Sequence, residues 1–179
     1  MLGELDPDAV GPGIEFATHY EPTPLPDFDR FLKAIPPDFD IRESTFVDVG
    51  SGMGRVVLLA SRLPFKQIVG VEISPALHEI ARENHASFKD ARIGSRDVRL
   101  VRADAATYKL PPGKLLVYLY NPFVGELFKR FVARLAQVES DDVLVLYHTP
   151  VERESLERTG AFTVVDEFDF GAMYRKKLL

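Results

Sequence analysis

The chain of 179 residues contains no cysteine. Disulfide bonds, thiolate metal sites and a cysteine nucleophile are therefore excluded, and this absence fits a cytoplasmic protein. No apolar run approaches the roughly 20 residues that a membrane-spanning helix needs. The first residues also lack the basic region and apolar stretch of a secretory signal. The sequence therefore predicts a cytoplasmic protein without a membrane span.

Patterns for metal binding and nucleophilic catalysis are also missing. His78 and His85 lie seven residues apart on one predicted helix, without the carboxylate partners that would indicate a metal site. His148 follows a predicted strand and is a candidate base, but a lone histidine is more often a structural residue. Because no P-loop and no Ser-His-Asp arrangement is apparent, no metal and no nucleophilic triad is expected.

The net charge of −5 is unevenly distributed along the chain. Residues 1–50 hold 11 acids and 3 bases, whereas the remaining residues hold 16 acids and 19 bases. An acidic N-terminal third repels phosphates, so nucleic acid is disfavoured as a partner. The acidic segment would tolerate or attract a basic protein or an amine substrate. The alternative interpretation is that these acids form an ordinary solvated surface.

The most informative stretch is Phe46–Arg55, which reads FVDVGSGMGR. Apolar residues surround Asp48, glycines recur within Gly50–Gly54, and a further apolar run follows, which predicts a buried strand, a glycine turn and a helix start. Eighteen residues after the last of these glycines, a second strand-like run ends in Glu72. A glycine turn after one strand and an acid after the next indicate a site for a nucleoside-bearing cofactor.

Strands and helices alternate along the rest of the chain. This alternation predicts an α/β fold with a doubly wound, mostly parallel sheet and helices on both faces. Two closing strands around Gly171 predict a C-terminal antiparallel β-hairpin. We expect a first helix over residues 27–35 with Asp27 as N-cap, and a helix over residues 75–88 capped by Ser74. Residues 1–19 form a flexible acidic segment in this prediction, and residues 20–179 form a single domain.

The spacing of the glycines helps to distinguish a dinucleotide from a cofactor that has no phosphate. Dinucleotide sites use Gly-x-Gly-x-x-Gly and place a pyrophosphate at a helix N-terminus. Here the spacing is Gly-x-Gly-x-Gly, and Asp48 suits a ligand with a positive amino group and no phosphate. On residues 47–54 and Glu72, the chain resembles the class I methyltransferases that depend on S-adenosylmethionine (SAM). A nucleotide-dependent oxidoreductase and a purely structural glycine turn remain the alternatives.

The resemblance implies a seven-stranded sheet, SAM as cofactor and S-adenosylhomocysteine (SAH) as product. It assigns Asp48 to the methionine amino group, Glu72 to the ribose hydroxyls and Asp104 to the adenine amino group. It also places Ile73 against the adenine face, while the alternative for Asp104 is a turn residue. The remaining cofactor-binding residues that the resemblance implies are Gly50, Ser51, Gly52, Gly54, Ala105 and Asn121.

A second motif follows the fourth predicted strand and reads Tyr120-Asn121-Pro122-Phe123. It is similar to the Asn/Asp-Pro-Pro-aromatic motif of methyltransferases that modify nitrogen, although one proline stands where that motif has two. The resemblance implies catalytic roles for Asn121 and Tyr120 and substrate contacts for Pro122 and Phe123. The alternative for Asn121-Pro122 is an ordinary turn.

The segment Tyr20-Glu21-Pro22-Thr23 is similar to one that precedes the first helix in some lysine methyltransferases of this fold. The resemblance implies that it closes over the cofactor and that Tyr20 is catalytic, and the alternative is a proline-stiffened tether. The expected function is therefore methylation of a nitrogen, on protein lysine. Alternatives are a small-molecule acceptor and a non-catalytic module with an exposed apolar face on residues 128–135.

Overall fold

The computed structural model describes residues 22–177 except 91, 93, 96 and 141. A single sheet of seven strands has the order β3-β2-β1-β4-β5-β7-β6. The first five strands in this order are parallel, and β7 pairs antiparallel with both β5 and β6. The predicted sheet and hairpin are confirmed. The strands are β1 Thr45–Val49, β2 Gln67–Glu72, β3 Val98–Arg102, β4 Leu115–Tyr120, β5 Val143–His148, β6 Phe162–Phe168 and β7 Gly171–Lys176.

Helices connect most of the parallel strands. Ser74 caps α3 by accepting the N–H of Leu77 at 3.3 Å, with Pro75 in the first position, as the sequence predicts. No helix lies in the described connection from β3 to β4, residues 103–114. The helices are α1 Leu25–Lys33, α2 Arg55–Ala60, α3 Pro75–Ser87, α4 Gly125–Gln137 and α5 Arg153–Glu157, with a 3-10 turn at Ile41–Glu43.

The core lies on both faces of the sheet. The strands β1, β4 and β5 are buried almost throughout, which explains their unbroken apolar runs. On one face α4 packs through its predicted apolar stripe, so that stripe is not an exposed docking face. On the other face α1 contributes Phe28 and Phe31 to a second cluster that includes α2. The buried stripe of α4 consists of Phe128, Phe131, Val132 and Leu135.

The first helix differs from the prediction. It begins at Leu25 rather than at Asp27, and Pro24 precedes it without a side-chain cap. The prediction of Asp27 as N-cap is therefore wrong. Its carboxylate instead contacts Nε2 of His148, 121 residues away, at 3.0 Å. A long-range partner of this kind leaves no signal in local sequence.

The remaining predictions about the chain ends are not tested. Residues 1–19 and Tyr20 lie outside the described residues, so the proposed flexible segment and the domain boundary stay predictions. Among the helices that the structure describes, none is long and apolar enough to cross a bilayer.

Candidate cofactor site

The glycine turn follows β1 at the carboxyl edge of the sheet. Gly50, Gly52 and Gly54 have φ values of 74°, 52° and 81°, in the left-handed region that favours glycine. The N–H groups of Gly50 and Ser51 both donate to the carbonyl of Val71 on β2, at 2.9 and 3.0 Å. The turn is therefore tied to the neighbouring strand through its own backbone.

Glu72 ends β2 and lies beside this turn. Its Oε2 accepts the N–H of Gly52 at 2.8 Å, and its Oε1 accepts the N–H of Ser74 at 2.8 Å. Only 6% of the residue is exposed, and burial raises the pKa of its carboxyl, while the two amide donors oppose that shift. The side chain therefore joins the glycine turn to the start of α3.

Asp48 lies within β1, between β2 and β4. It is 3% exposed, and within the described residues no hydrogen bond reaches its carboxyl. Burial, and then the nearby charge of Glu72, raise its pKa to about 8. A buried carboxyl without a hydrogen-bond donor is costly to ionise, so this position suits a ligand that brings a cationic group.

The second motif lies directly against the glycine turn. A Cβ built on Gly50 would come within 2.6 Å of Cβ of Pro122, so only glycine allows this approach. Asn121 has a φ of 44°, and asparagine is one of the few residues with a side chain that tolerates this region. The structure thus brings the residues after β1, β2 and β4 together at one edge, as the sequence predicts for parallel strands.

The segment after β3 forms the remaining border of the site. Oδ1 of Asp104 accepts the N–H of Ala106 at 2.8 Å. This is the contact expected of a turn residue, which was the alternative interpretation of Asp104. The guanidinium of Arg134 on α4 donates to the carbonyls of Ala106 and of Tyr108, the latter at 3.1 Å. These contacts hold the loop that carries Asp104 and the half-buried Ala105.

Two further predicted residues lie at different depths. Ile73 follows Glu72 and is half-buried at the edge of the site. Phe123 is 6% exposed, and its ring packs on Phe128 and Phe131 with centroid distances of 6.0 and 5.7 Å. The ring of Phe123 is therefore packed in the core, and its contact with a substrate stays a prediction. Across the described chain, no three His, Asp or Glu residues are grouped so as to hold a metal ion.

Sequence reasoning missed a contact that brings the segment before α1 to this edge. The hydroxyls of Thr23 and Tyr118 are 2.9 Å apart, and Nε of Arg55 donates to the Thr23 carbonyl at 3.0 Å. Tyr118 on β4 is in register with Asp48, and burial raises the pKa of its phenol. The sequence does contain one indication of this contact. Tyr118 lies in the middle of a buried, mainly apolar strand, and a buried hydroxyl needs a hydrogen-bond partner.

We predict that Asp48→Asn changes how stability depends on pH. The folded-state pKa of Asp48 is raised from 3.8 to about 8, so the free energy of unfolding falls as pH rises from about 4 to about 8. Asparagine cannot ionise, so the variant should be more stable than wild type at pH 8, by on the order of 5 kcal/mol. Urea unfolding at pH 5 and pH 8 measures this difference, and parallel pH profiles for the two proteins would contradict it.

Comparisons with known proteins agree with this geometry. A family model described as a methyltransferase domain matches residues 46–138. A ribosomal protein L11 methyltransferase of Geobacter metallireducens is 30% identical over 157 residues, which are 87% of this chain and 45% of that protein. A release factor glutamine methyltransferase of Vibrio cholerae is 36% identical over 62 residues, 34% of this chain and 22% of that protein. The chain spans less than half the length of these curated relatives.

Solved structures share the fold at low sequence identity. Protein yhhF of Escherichia coli has a TM-score of 0.70 at 17% identity, with 91% of each chain covered. An RNA methyltransferase of Salinibacter ruber, in complex with SAH, has a TM-score of 0.54 at 24% identity, covering 87% of this chain and 92% of that one. Together with the family model, which matches more than half of the sequence, the seven-stranded sheet shows that this chain belongs to the class I methyltransferase domain family.

Proposed function

We propose that this domain binds SAM and transfers its methyl group to a nitrogen nucleophile, on a lysine of a protein. The observation that carries the cofactor assignment is the buried carboxyl of Asp48, which has no hydrogen-bond donor among the described residues and lies beside the Gly50–Gly54 turn. An ammonium group there would supply both the missing donor and the missing positive charge.

We assign the other contacts as the resemblance to class I methyltransferases implies, to side chains around this edge. Glu72 has acceptor capacity beyond its two amide donors, and we assign it to the ribose hydroxyls. Asp104 uses Oδ1 for its own turn, so we assign its second oxygen to the adenine amino group and the side chain of Ile73 to the adenine face. The remaining proposed cofactor residues are Gly50, Ser51, Gly52, Gly54, Ala105 and Asn121.

SAM supplies, when bound, a methyl group on a sulfonium whose leaving thioether is neutral. The protein therefore has little need of an acid for the leaving group, and orienting the acceptor is its main contribution. We assign this orientation to the amide oxygen of Asn121, which would accept an N–H of the target nitrogen. Tyr120, together with Tyr20 outside the described residues, would partly desolvate an amine and so lower its pKa. Pro122 would contact the substrate.

The choice of a protein acceptor rests on three observations. The curated relatives named above act, by their names, on ribosomal protein L11 and on a release factor. Residues 1–50 carry an excess of acids, which would attract a basic protein surface. The motif Asn121-Pro122 resembles that of nitrogen methyltransferases. A small-molecule amine is the second candidate acceptor, and a non-catalytic SAM-binding module is the alternative outside enzymes.

Replacement of Glu72 tests the cofactor assignment. Calorimetry should show that SAH binds the wild-type protein, that NAD does not, and that Glu72→Ala weakens SAH binding at least about tenfold, because hydrogen bonds to a charged group are lost. Glu79→Ala is the matched control, since Glu79 is an exposed acid on α3 whose side chain is 58% accessible. Equal affinities in the wild type and Glu72→Ala would contradict the assignment.

Proton release should accompany cofactor binding. At pH 7 the Asp48 carboxyl of the free protein is mostly protonated, because its pKa is raised to about 8. An ammonium beside it favours the ionised form, so binding of SAH should release up to about one proton at this pH. Calorimetry in buffers of different ionisation enthalpy measures this release. If Asp48→Asn released as many protons as the wild type, Asp48 would not be the group that contacts the ammonium.

The acceptor is sought with SAM that carries a labelled methyl group, incubated with cell extract from which endogenous SAM has been removed. Protein lysine methylation predicts label in the protein fraction and methyllysine after acid hydrolysis. Label in RNA or in small molecules would overturn the lysine assignment. Absence of transfer by a protein that binds SAH would favour the non-catalytic module.

The variant Asn121→Gly should distinguish a catalytic role of the Asn121 side chain from a purely structural role of this position. Glycine tolerates the φ of 44°, so the fold should be retained, while loss of the amide oxygen misorients the acceptor. With the acceptor identified as above, we expect kcat to fall about 100-fold. SAH affinity should fall by a smaller factor, because Asn121 is only one of the residues that we assign to the cofactor. Asn121→Asp keeps an acceptor oxygen and should retain more activity. A glycine variant with wild-type turnover would exclude the proposed role.

A further inference from the structure

His148 ends β5 at the same edge as the proposed site. Its Nε2 lies 3.0 Å from Oδ2 of Asp27, and its Nδ1 lies 3.0 Å from the hydroxyl of Thr149. The residue is only 4% exposed. Because both ring nitrogens have protein partners and the ring is buried, His148 is poorly placed to take a proton from a substrate, although its position in the sequence suggested a base.

Aromatic rings fix the orientation of this imidazole. His148 is in register with Tyr120 of the second motif, and their ring centroids are 4.2 Å apart. On its other side the ring stacks on Phe170 at 5.3 Å with an interplanar angle of 29°. Thr149, which follows it, has a φ of 46°, a strained value for a β-branched residue, and its N–H donates to the carbonyl of Phe170 at 2.8 Å.

Asp27 connects this ring to the residues that precede and begin α1. We define the N-terminal anchor as residues Thr23–Asp27. Three contacts hold the anchor. The Thr23 hydroxyl contacts the hydroxyl of Tyr118, and the Thr23 carbonyl accepts a hydrogen bond from Arg55. The Asp27 carboxylate contacts the imidazole of His148. These partners belong to β4, α2 and β5, so the anchor is attached to three separate elements, of which α2 directly follows the glycine turn and β4 pairs with β1.

The anchor lies close to the carboxyl that we assign to the cofactor. Tyr118, whose hydroxyl contacts Thr23, is in register with Asp48 on β1. The charge of Asp48 contributes to the raised pKa of this tyrosine. A displaced anchor would therefore open the buried environment of Asp48. In the same movement, the imidazole that packs on Tyr120 would lose its acidic partner.

We propose that Asp27 and His148 are positioning residues that hold the N-terminal anchor against the methionine end of the cofactor site. This inference rests on the proposed cofactor site. Neither residue takes a proton from the substrate. Their contact sets the affinity for SAM and SAH, because it keeps the surroundings of Asp48 closed before the ligand arrives. Loss of the contact raises the dissociation constant of SAH and the KM for SAM more than it lowers kcat.

Two variants test the pair through SAH affinity, which requires no knowledge of the acceptor. Asp27→Ala removes the carboxylate, and His148→Phe keeps an aromatic ring but removes both hydrogen bonds. Calorimetry with the full chain should show that each variant binds SAH at least about tenfold more weakly than wild type. Asp27→Asn keeps a side-chain partner for the imidazole and should restore affinity to within about threefold of wild type.

Asp169→Ala is the matched control, because it removes another contact of α1, the exposed pair between Arg30 and Asp169 at 2.7 Å. It should leave SAH affinity unchanged, although it loosens the same helix. If Asp27→Ala and His148→Phe bound SAH like the wild type, or if Asp169→Ala weakened binding equally, the positioning role would be overturned. A wild-type protein that failed to bind SAH would instead refute the proposed function, so the two failures are distinguishable.

Discussion

The constraint on which the site depends is the burial of the Asp48 carboxyl in the central part of the sheet. β1 lies between β2 and β4, so a side chain on this strand is surrounded by protein on both sides. Within the described residues it receives no hydrogen bond, and its pKa rises to about 8. A protein that keeps an acid under these conditions gives up stability, which is a cost typical of functional sites.

Around this carboxyl, the backbone is held by contacts that leave little freedom. The glycine turn donates to Val71 and to Glu72 on β2, and it lies against Pro122 on the other side. The two residues with side chains and positive φ in the described chain, Asn121 and Thr149, follow the paired strands β4 and β5. Conformations of this kind persist where the surrounding structure enforces them, so the edge is organised before any ligand binds.

The sequence predicts correctly the elements that depend on short sequence patterns. It fails where a contact between residues far apart in the chain decides the structure. The strand before the glycine turn and the strand that ends in Glu72 lie where the sequence predicts them, because apolar runs that end in glycine or in an acid mark buried parallel strands. The first helix was placed two residues late, since Asp27 has the side chain of a cap but its carboxylate contacts His148 instead. The sequence also did not show that the ring of Phe123 packs on α4, and its contact with a substrate stays a prediction.

The sequence by itself determined the class of fold, the glycine turn and the acids that follow β1 and β2, because these depend on local spacing and on the rule that parallel strands end at one edge. Only the tertiary structure decided which groups have partners. The contacts of Thr23 with Tyr118 and of Asp27 with His148 join residues 95 and 121 positions apart. No periodicity records such pairs, since each depends on how α1 docks against strands that come much later in the chain.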